Sequence, residues 1–177
     1  RLREQRAKED AYVRLARAVI EEYVRTGIKK RIPEDLPEEM YTRRAGVFVS
    51  IKKGGQLRGC IGTIQAVQSS IAEEITENAV SASTKDPRFP PIVPEELEFL
   101  TISVDVLGDT EWIDSPDQLD VERYGVVVTK GYRRGLLLPN LDGIDTVKEQ
   151  IRIAKQKAGI GEHEEAELER FEVIRHY

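Results

Sequence analysis

The sequence of 177 residues has one cysteine and two histidines. A single cysteine excludes a disulfide within the chain, which fits a reducing compartment, and so few soft ligands argue against a dedicated zinc site. No run of about 18 apolar residues is present, so a membrane-spanning helix is not expected. Residues 1–6 are polar and lack the apolar core of a signal peptide. We therefore predict a cytoplasmic protein without a metal or other cofactor.

An excess of positive charge is also missing, because 27 lysines and arginines stand against 32 aspartates and glutamates. Since non-specific nucleic-acid binding depends on cations that neutralise phosphates, this balance argues against it. A local basic face stays open, although solvated loop and hairpin charges are the simpler interpretation. The residues that could form it are Lys29, Lys30, Arg31, Lys52, Lys53, Arg133 and Arg134.

The length suits one domain, which we place over residues 10–177 behind a polar N-terminal extension, 1–9. The first residue is Arg rather than Met, so we expect a piece of a longer polypeptide. Apolar periodicity predicts a helix over 10–26 that ends at Gly27. Capping boxes predict two more helices, from Ser70 to about Ser83 and from Thr146 to Gly159.

Alternating or continuous apolar residues predict the strands, which cover residues 46–52, 56–62, 99–107, 126–128, 136–138 and 167–175. Tight turns imply antiparallel pairing, and the order of elements is not a strict βαβ alternation. The predicted fold class is therefore α+β, with a mostly antiparallel sheet flanked by helices.

The register of the first hairpin can be predicted from its apolar residues. A three-residue loop over 53–55 would pair Ile51 with Leu57 and place every apolar side chain on one face. Arg58 and Cys60 would then lie together on the opposite face, beside Ser50 and Phe48. A structure in which Leu57 and Cys60 share a face would contradict this register.

The segment Arg58-Gly59-Cys60-Ile61-Gly62 is the first candidate site. Glycines allow positive φ and close backbone approach, so the segment could present amide groups to an anion. Arg58 lies about 7 Å along the strand and would favour a Cys60 thiolate, as a nucleophile or redox thiol requires. The alternative is that Cys60 is a small buried apolar residue. Neither His163 nor His176 stands in a motif, so a cysteine-protease-like triad has weak support.

The segment Asp86-Pro87-Arg88-Phe89 is the second candidate site. Pro87 forces Asp86 into an extended conformation. Asp86 and Arg88 could together bind a polar ligand, or they could form a salt bridge where a helix ends.

Leu57–Thr63 resembles the signature of the AMMECR family, whose prokaryotic members are called AmmeMemoRadiSam system protein A. Asp86–Pro91 downstream matches too, and the resemblance extends from about residue 10 to 177. Further segments that look like the family are 12–17, 45–50, 135–139, 157–160 and 170–173.

The resemblance implies an α+β fold with a larger and a smaller lobe and a cleft near the cysteine motif, long suspected as an active site. It supplies no settled activity. It also implies association with a Memo-type protein, which resembles class III extradiol dioxygenases, and with a radical SAM protein. By position, the candidate catalytic residues are Cys60, Arg58, Asp86 and Arg88, and the candidate binding residues are Gly59, Ile61, Gly62, Thr63 and Phe89.

Three functions therefore stay open. The first is an enzyme or enzyme component that uses Cys60 on an unknown substrate. The second is a partner-binding module that works with the Memo-type and radical SAM proteins. The third is a nucleic-acid-associated factor, against which the acidic composition argues.

Overall fold

Helices and strands alternate irregularly along the chain in the computed structural model, which describes residues 2–177. The helices are α1 Leu2–Ala7, α2 Ala11–Thr26, α3 Glu39–Thr42, α4 Ile71–Thr84 and α5 Val147–Ala158. The strands are β1 Val47–Lys53, β2 Gln56–Gly62, β3 Leu100–Leu107, β4 Glu111–Ile113, β5 Gly125–Lys130, β6 Arg133–Leu137, β7 Glu167–Phe171 and β8 Val173–His176. Short 3-10 helices cover Pro94–Phe99 and Pro116–Gln118.

These elements form two compact units, each built on its own four-stranded sheet. The first unit contains the residues up to Leu107 together with Ile174–Tyr177, and the second contains Gly108–Val173. The sheet orders are β2-β1-β3-β8 and β4-β7-β5-β6. The registers of β1 with β2 and β3, and of β5 with β6 and β7, are antiparallel, which confirms the α+β prediction.

Helices α2 and α4 cover one face of the first sheet, where α4 packs on β1 and β2 and α2 packs on β3. Both helices begin as the sequence predicts, because Asp10 and Ser70 accept hydrogen bonds from backbone amides of the first turn. Helix α2 also ends as predicted, at a left-handed Gly27. The inward residues of β1 and β3 are fully or almost fully buried, namely Val47, Val49, Ile51, Leu100, Ile102 and Val104. The opposite face of this sheet is the one that carries Cys60.

The second unit packs α5 against β5 and β6. Val126, Val127 and Val128 are all fully buried, so β5 is covered on both faces as its continuous apolar run predicts. Helix α5 begins at the predicted Thr146 cap and ends at Gly159.

The residues before the predicted domain are attached to the first unit by polar contacts. The Arg6 guanidinium donates to the carbonyl oxygens of Leu97 and Glu98. Glu9 and Arg17 form a buried ion pair at 2.7 Å. Among residues 2–177, no helix combines the length and the apolar character that crossing a membrane requires.

The predicted register of the first hairpin is wrong. Gly54 and Gly55 both have positive φ, so they form the two-residue turn that a tight hairpin favours, and Lys53 pairs with Gln56. The register then shifts between Ile51 and Lys52, because Arg58 is an extra residue on β2. This bulge lets Ile51 face Gly59 further along, while Leu57 is left on the Cys60 face with 41% of its surface exposed.

The single strand predicted over 167–175 is also wrong, since it is two strands in two different sheets. Strand β7 pairs with β4 and β5, whereas β8 joins the first sheet, and Glu172 separates them. The apolar residues Leu168, Phe171 and Val173 alternate irregularly, which was the sequence signal of this break. The short elements α1, α3 and β4 were not predicted, because isolated segments of three to six residues carry little periodicity.

Candidate functional site

The cysteine motif lies within the edge strand β2 rather than in a loop. Cys60 pairs with Ser50 of β1, and the Cys60 Sγ lies 3.3 Å from the Ser50 Oγ. The cysteine is partly exposed, on the sheet face away from α2 and α4. Its thiol therefore has the Ser50 hydroxyl as a neighbour, and the residue is partly exposed.

The two glycines of the motif are required by close packing. A Cβ at Gly59 would lie 2.2 Å from the backbone oxygen of Ala82 in α4. A Cβ at Gly62 would lie 2.2 Å from the ring of Phe48. Neither glycine has a positive φ, so the loop-like anion cradle that the sequence allowed does not form here.

Asp86 and Arg88 occupy the outer edge of β2. The backbone N–H of Cys60 donates to Asp86 Oδ2 at 3.0 Å, and the Cys60 carbonyl oxygen accepts from Arg88 Nη2 at 3.1 Å. The two side chains are also paired with each other at 2.8 Å. Together they satisfy the backbone groups that an edge strand leaves unpaired, so the two predicted sites form one.

The Asp86 carboxylate is buried, with 2% of its side chain exposed. Burial by itself raises the pKa of Asp86, but hydrogen bonds from the Arg88 side chain and from the Cys60 and Arg88 backbone amides outweigh it and lower the pKa to about 2. Asp86 is therefore a permanent anion at neutral pH. A carboxylate with so low a pKa is a weak proton acceptor.

Arg88 is the cation next to Cys60. Its hydrogen bond to Asp86 is the largest influence that raises the pKa of Arg88, and the charge of an ionised Cys60 adds to the rise. About half of the Arg88 side chain is exposed. The guanidinium also lies over the Phe89 ring, 5.3 Å from its centroid, which orients it.

Arg58, by contrast, is held by other partners. Its guanidinium binds both oxygens of Glu96, at 2.8 and 3.0 Å, and the carbonyl oxygen of Pro90 at 2.8 Å. The hydrogen bonds from Arg58 are the main cause that lowers the pKa of Glu96 to about 2. The predicted influence of Arg58 on the Cys60 thiol stays a prediction, but the structure gives the neighbouring position to Arg88.

The two remaining candidate binding residues of the motif, Ile61 and Thr63, face the protein interior. Ile61 packs against the core of the first unit. The Thr63 hydroxyl donates to the buried Glu74 at 2.9 Å and accepts from the Asn78 amide at 3.3 Å. Glu74 also accepts from the backbone amides of Val67 and Gln68, so it holds the loop that follows the motif. Thr63 thus supports this loop.

The predicted register placed Ser50 on the face of Cys60 but did not make it a site residue, and sequence reasoning missed Glu96. The observed register makes Ser50 the direct partner of Cys60, whereas nothing local links Glu96 to Arg58, 38 residues away. Of the two histidines, His176 pairs with Asp10 and stacks on Tyr12, and His163 belongs to the second unit. Within residues 2–177, no three His, Cys, Asp or Glu side chains are grouped as metal ligands.

The fold and the site define a class of mixed α/β protein, in which an edge strand carries a cysteine and is closed by an Asp-Arg pair. The AMMECR1 family model matches residues 13–176. A protein from Thermotoga maritima is 50% identical over 170 residues, which cover 95% of this chain and 98% of that protein. The chain belongs to the AMMECR1 family.

Two further comparisons extend this result. The crystal structure of the uncharacterized protein PH0010 from Pyrococcus horikoshii is 34% identical and matches with a TM-score of 0.85 over 93% of this chain and 88% of that one. Protein CA_C1420 from Clostridium acetobutylicum is 49% identical over 96% of this chain, which spans only 36% of that protein. The same domain therefore also occurs as part of a longer polypeptide.

Proposed function

We propose that the protein is a thiol-dependent enzyme, or the thiol-bearing component of one, in which Cys60 reacts and Arg88 stabilises its thiolate. The observation that carries this proposal is the position of the half-exposed Arg88, which binds the Cys60 carbonyl oxygen and interacts with the charge of an ionised Cys60 side chain. A cation beside a cysteine favours the thiolate, which is the reactive form.

Ser50 and Asp86 complete the arrangement. The Ser50 hydroxyl can donate to the Cys60 sulfur across 3.3 Å, and a hydrogen bond to the charged form favours that form. Asp86 fixes the Cys60 backbone and holds the Arg88 guanidinium through two hydrogen bonds. The thiolate would thus be formed through electrostatic stabilisation, without the histidine base of a protease-like triad.

The test is the pH dependence of Cys60 alkylation by iodoacetamide. Because Cys60 is the single cysteine of the sequence, total thiol modification reports on this residue alone. We expect an apparent pKa below the usual value of about 8.5 for a cysteine thiol, and we expect Arg88→Gln to raise it. The matched comparison is Arg58→Gln, which also removes a guanidinium from a carboxylate partner but leaves Arg88 in place.

Two results would overturn the proposal. One is a thiol that titrates at its usual value in the wild type. The other is an apparent pKa that Arg58→Gln raises and Arg88→Gln leaves unchanged. That result would mean that Arg58 stabilises the thiolate, as the sequence suggested.

A second candidate function is a partner-binding module that works with Memo-type and radical SAM proteins. It is favoured by the occurrence of this domain within the longer protein CA_C1420. If the module acts only by binding, purified Memo-type or radical SAM partners will capture a Cys60→Ser variant to the same extent as the wild type. Absence of capture for both forms would contradict this alternative.

A further inference from the structure

The sheet face that carries Cys60 has a second cation, which the proposed function does not use. The rows of this face follow from the strand pairing, in which Cys60 is opposite Ser50 and Ser50 is opposite Ser103 of β3. The next row on the same face contains Lys52 and Thr101. Successive rows on one face are about 7 Å apart, so the Lys52 backbone lies one row from the thiol.

This face is rich in hydrogen-bond donors. Ser50, Thr101 and Ser103 are partly exposed hydroxyls, and Lys52 is exposed. A carboxylate lies in the row on the other side of Cys60, away from Lys52. It belongs to Asp105, which is buried and accepts hydrogen bonds from Arg175 Nε and Nη2 at 2.7 and 3.0 Å. Its negative charge is therefore already compensated.

Lys52 also differs from its neighbour in sequence. The ammonium of Lys53 pairs with Glu96 at 3.3 Å, on the Arg58 side of the hairpin. For Lys52, no carboxylate within residues 2–177 comes close enough to form an ion pair. Alternation along β1 separates these two lysines, because Lys52 lies on the same face as Ser50 and Lys53 lies on the other face.

We infer that this face binds the anionic group of the substrate, with Lys52 and the Ser103 hydroxyl as binding residues beside Cys60. The inference rests on the proposed reactivity of Cys60. Lys52 lies one row from Cys60 on β1, and Arg88 lies at the outer edge of β2. The Ser50 and Ser103 hydroxyls supply neutral donors on β1 and β3. The substrate class is a small molecule that carries a carboxylate or phosphate next to its reacting atom.

Two alkylating reagents of similar size and different charge test this inference. In both iodoacetate and iodoacetamide the thiolate displaces iodide from a methylene carbon, but only iodoacetate is an anion. We would measure both second-order rate constants at fixed pH and low ionic strength for the wild type, Lys52→Gln and the control Lys53→Gln. A unit charge about 7 Å away in water predicts that Lys52→Gln lowers the ratio of iodoacetate to iodoacetamide rates about threefold. We expect Lys53→Gln to keep the wild-type ratio.

A competition experiment tests the role of Ser103 and identifies the kind of anion that binds. Inorganic phosphate and acetate, each compared with sodium chloride at equal ionic strength, would be added to the iodoacetate reaction. Protection of Cys60 by one of them identifies the preferred oxyanion, and Ser103→Ala should weaken that protection.

The outcomes separate the two proposals. A rate ratio that Lys52→Gln leaves unchanged overturns this inference alone, and so does protection that is no greater than that of sodium chloride. An ordinary pH profile with iodoacetamide, or a thiol that reacts with neither reagent, overturns the proposed function and this inference with it.

Discussion

Replacing Asp86 with Asn removes the charge that closes the edge of β2 while keeping the size of the side chain. In the folded protein the pKa of Asp86 is about 2, against its usual 3.8. One pKa unit corresponds to about 1.4 kcal/mol, so the ionised carboxylate contributes about 2 kcal/mol to the free energy of unfolding at neutral pH. Because the folded pKa is the lower one, this contribution is complete above about pH 4 and is lost as the pH falls through 2.

The assay is urea unfolding of the wild type and Asp86→Asn at pH 7 and pH 3. Unfolding should be monitored by far-UV circular dichroism. Tryptophan fluorescence would report on the second unit, which contains the single tryptophan, Trp112. We expect Asp86→Asn to lower the free energy of unfolding by about 2 kcal/mol at pH 7 and by about half as much at pH 3.

The matched control is Asp35→Asn, which changes an exposed aspartate of the same unit and should alter stability by less than about 0.5 kcal/mol. A loss at pH 7 no greater than that of the control would refute the electrostatic account of the Asp86 contacts. So would a loss of equal size at both pH values, because the contribution would then not depend on ionisation.

The close packing of the motif glycines makes two further predictions, both measured as thermal midpoints. Gly59→Ala should lower the midpoint strongly, because its Cβ would meet the backbone oxygen of Ala82, which cannot rotate away. Gly62→Ala should also lower it, but its Cβ meets the Phe48 ring, so a second change, Phe48→Ala, should restore part of the loss. Unchanged stability of Gly59→Ala, or strictly additive losses for the second pair, would contradict the packing described for β2.

The sequence was enough to recognise the cysteine motif, but the reason for its glycines became clear only from the close approach at Gly59. From the sequence, the glycines were expected to permit positive φ and close backbone approach and so to present amides to an anion, and both properties fit the residue type. The choice between them depends on Ala82, which lies more than 20 residues away on α4. Similarly, the sequence placed a cation near Cys60, but which arginine fills that position follows from the partners of each. Arg58 donates hydrogen bonds to Glu96, and Arg88 donates one to the Cys60 carbonyl oxygen.

What the sequence by itself determined is local. The caps at Ser70 and Thr146 and the stops at Gly27 and Gly159 depend on residues within one helical turn, so their signals survive in any fold. The alternation of β1 and β3 fixed which side chains enter the core in the same way.

What only the tertiary structure decided depends on residues far apart in the chain. The bulge at Arg58 reconciles a turn that needs two left-handed glycines with a core that needs Ile61 of β2 inward, opposite Val49, and neither requirement alone predicts it. The break at Glu172 exists because β7 and β8 join different sheets. The site itself arises because the edge of β2 needs hydrogen-bond partners, and Asp86 and Arg88, some 26 residues further along the chain, supply them.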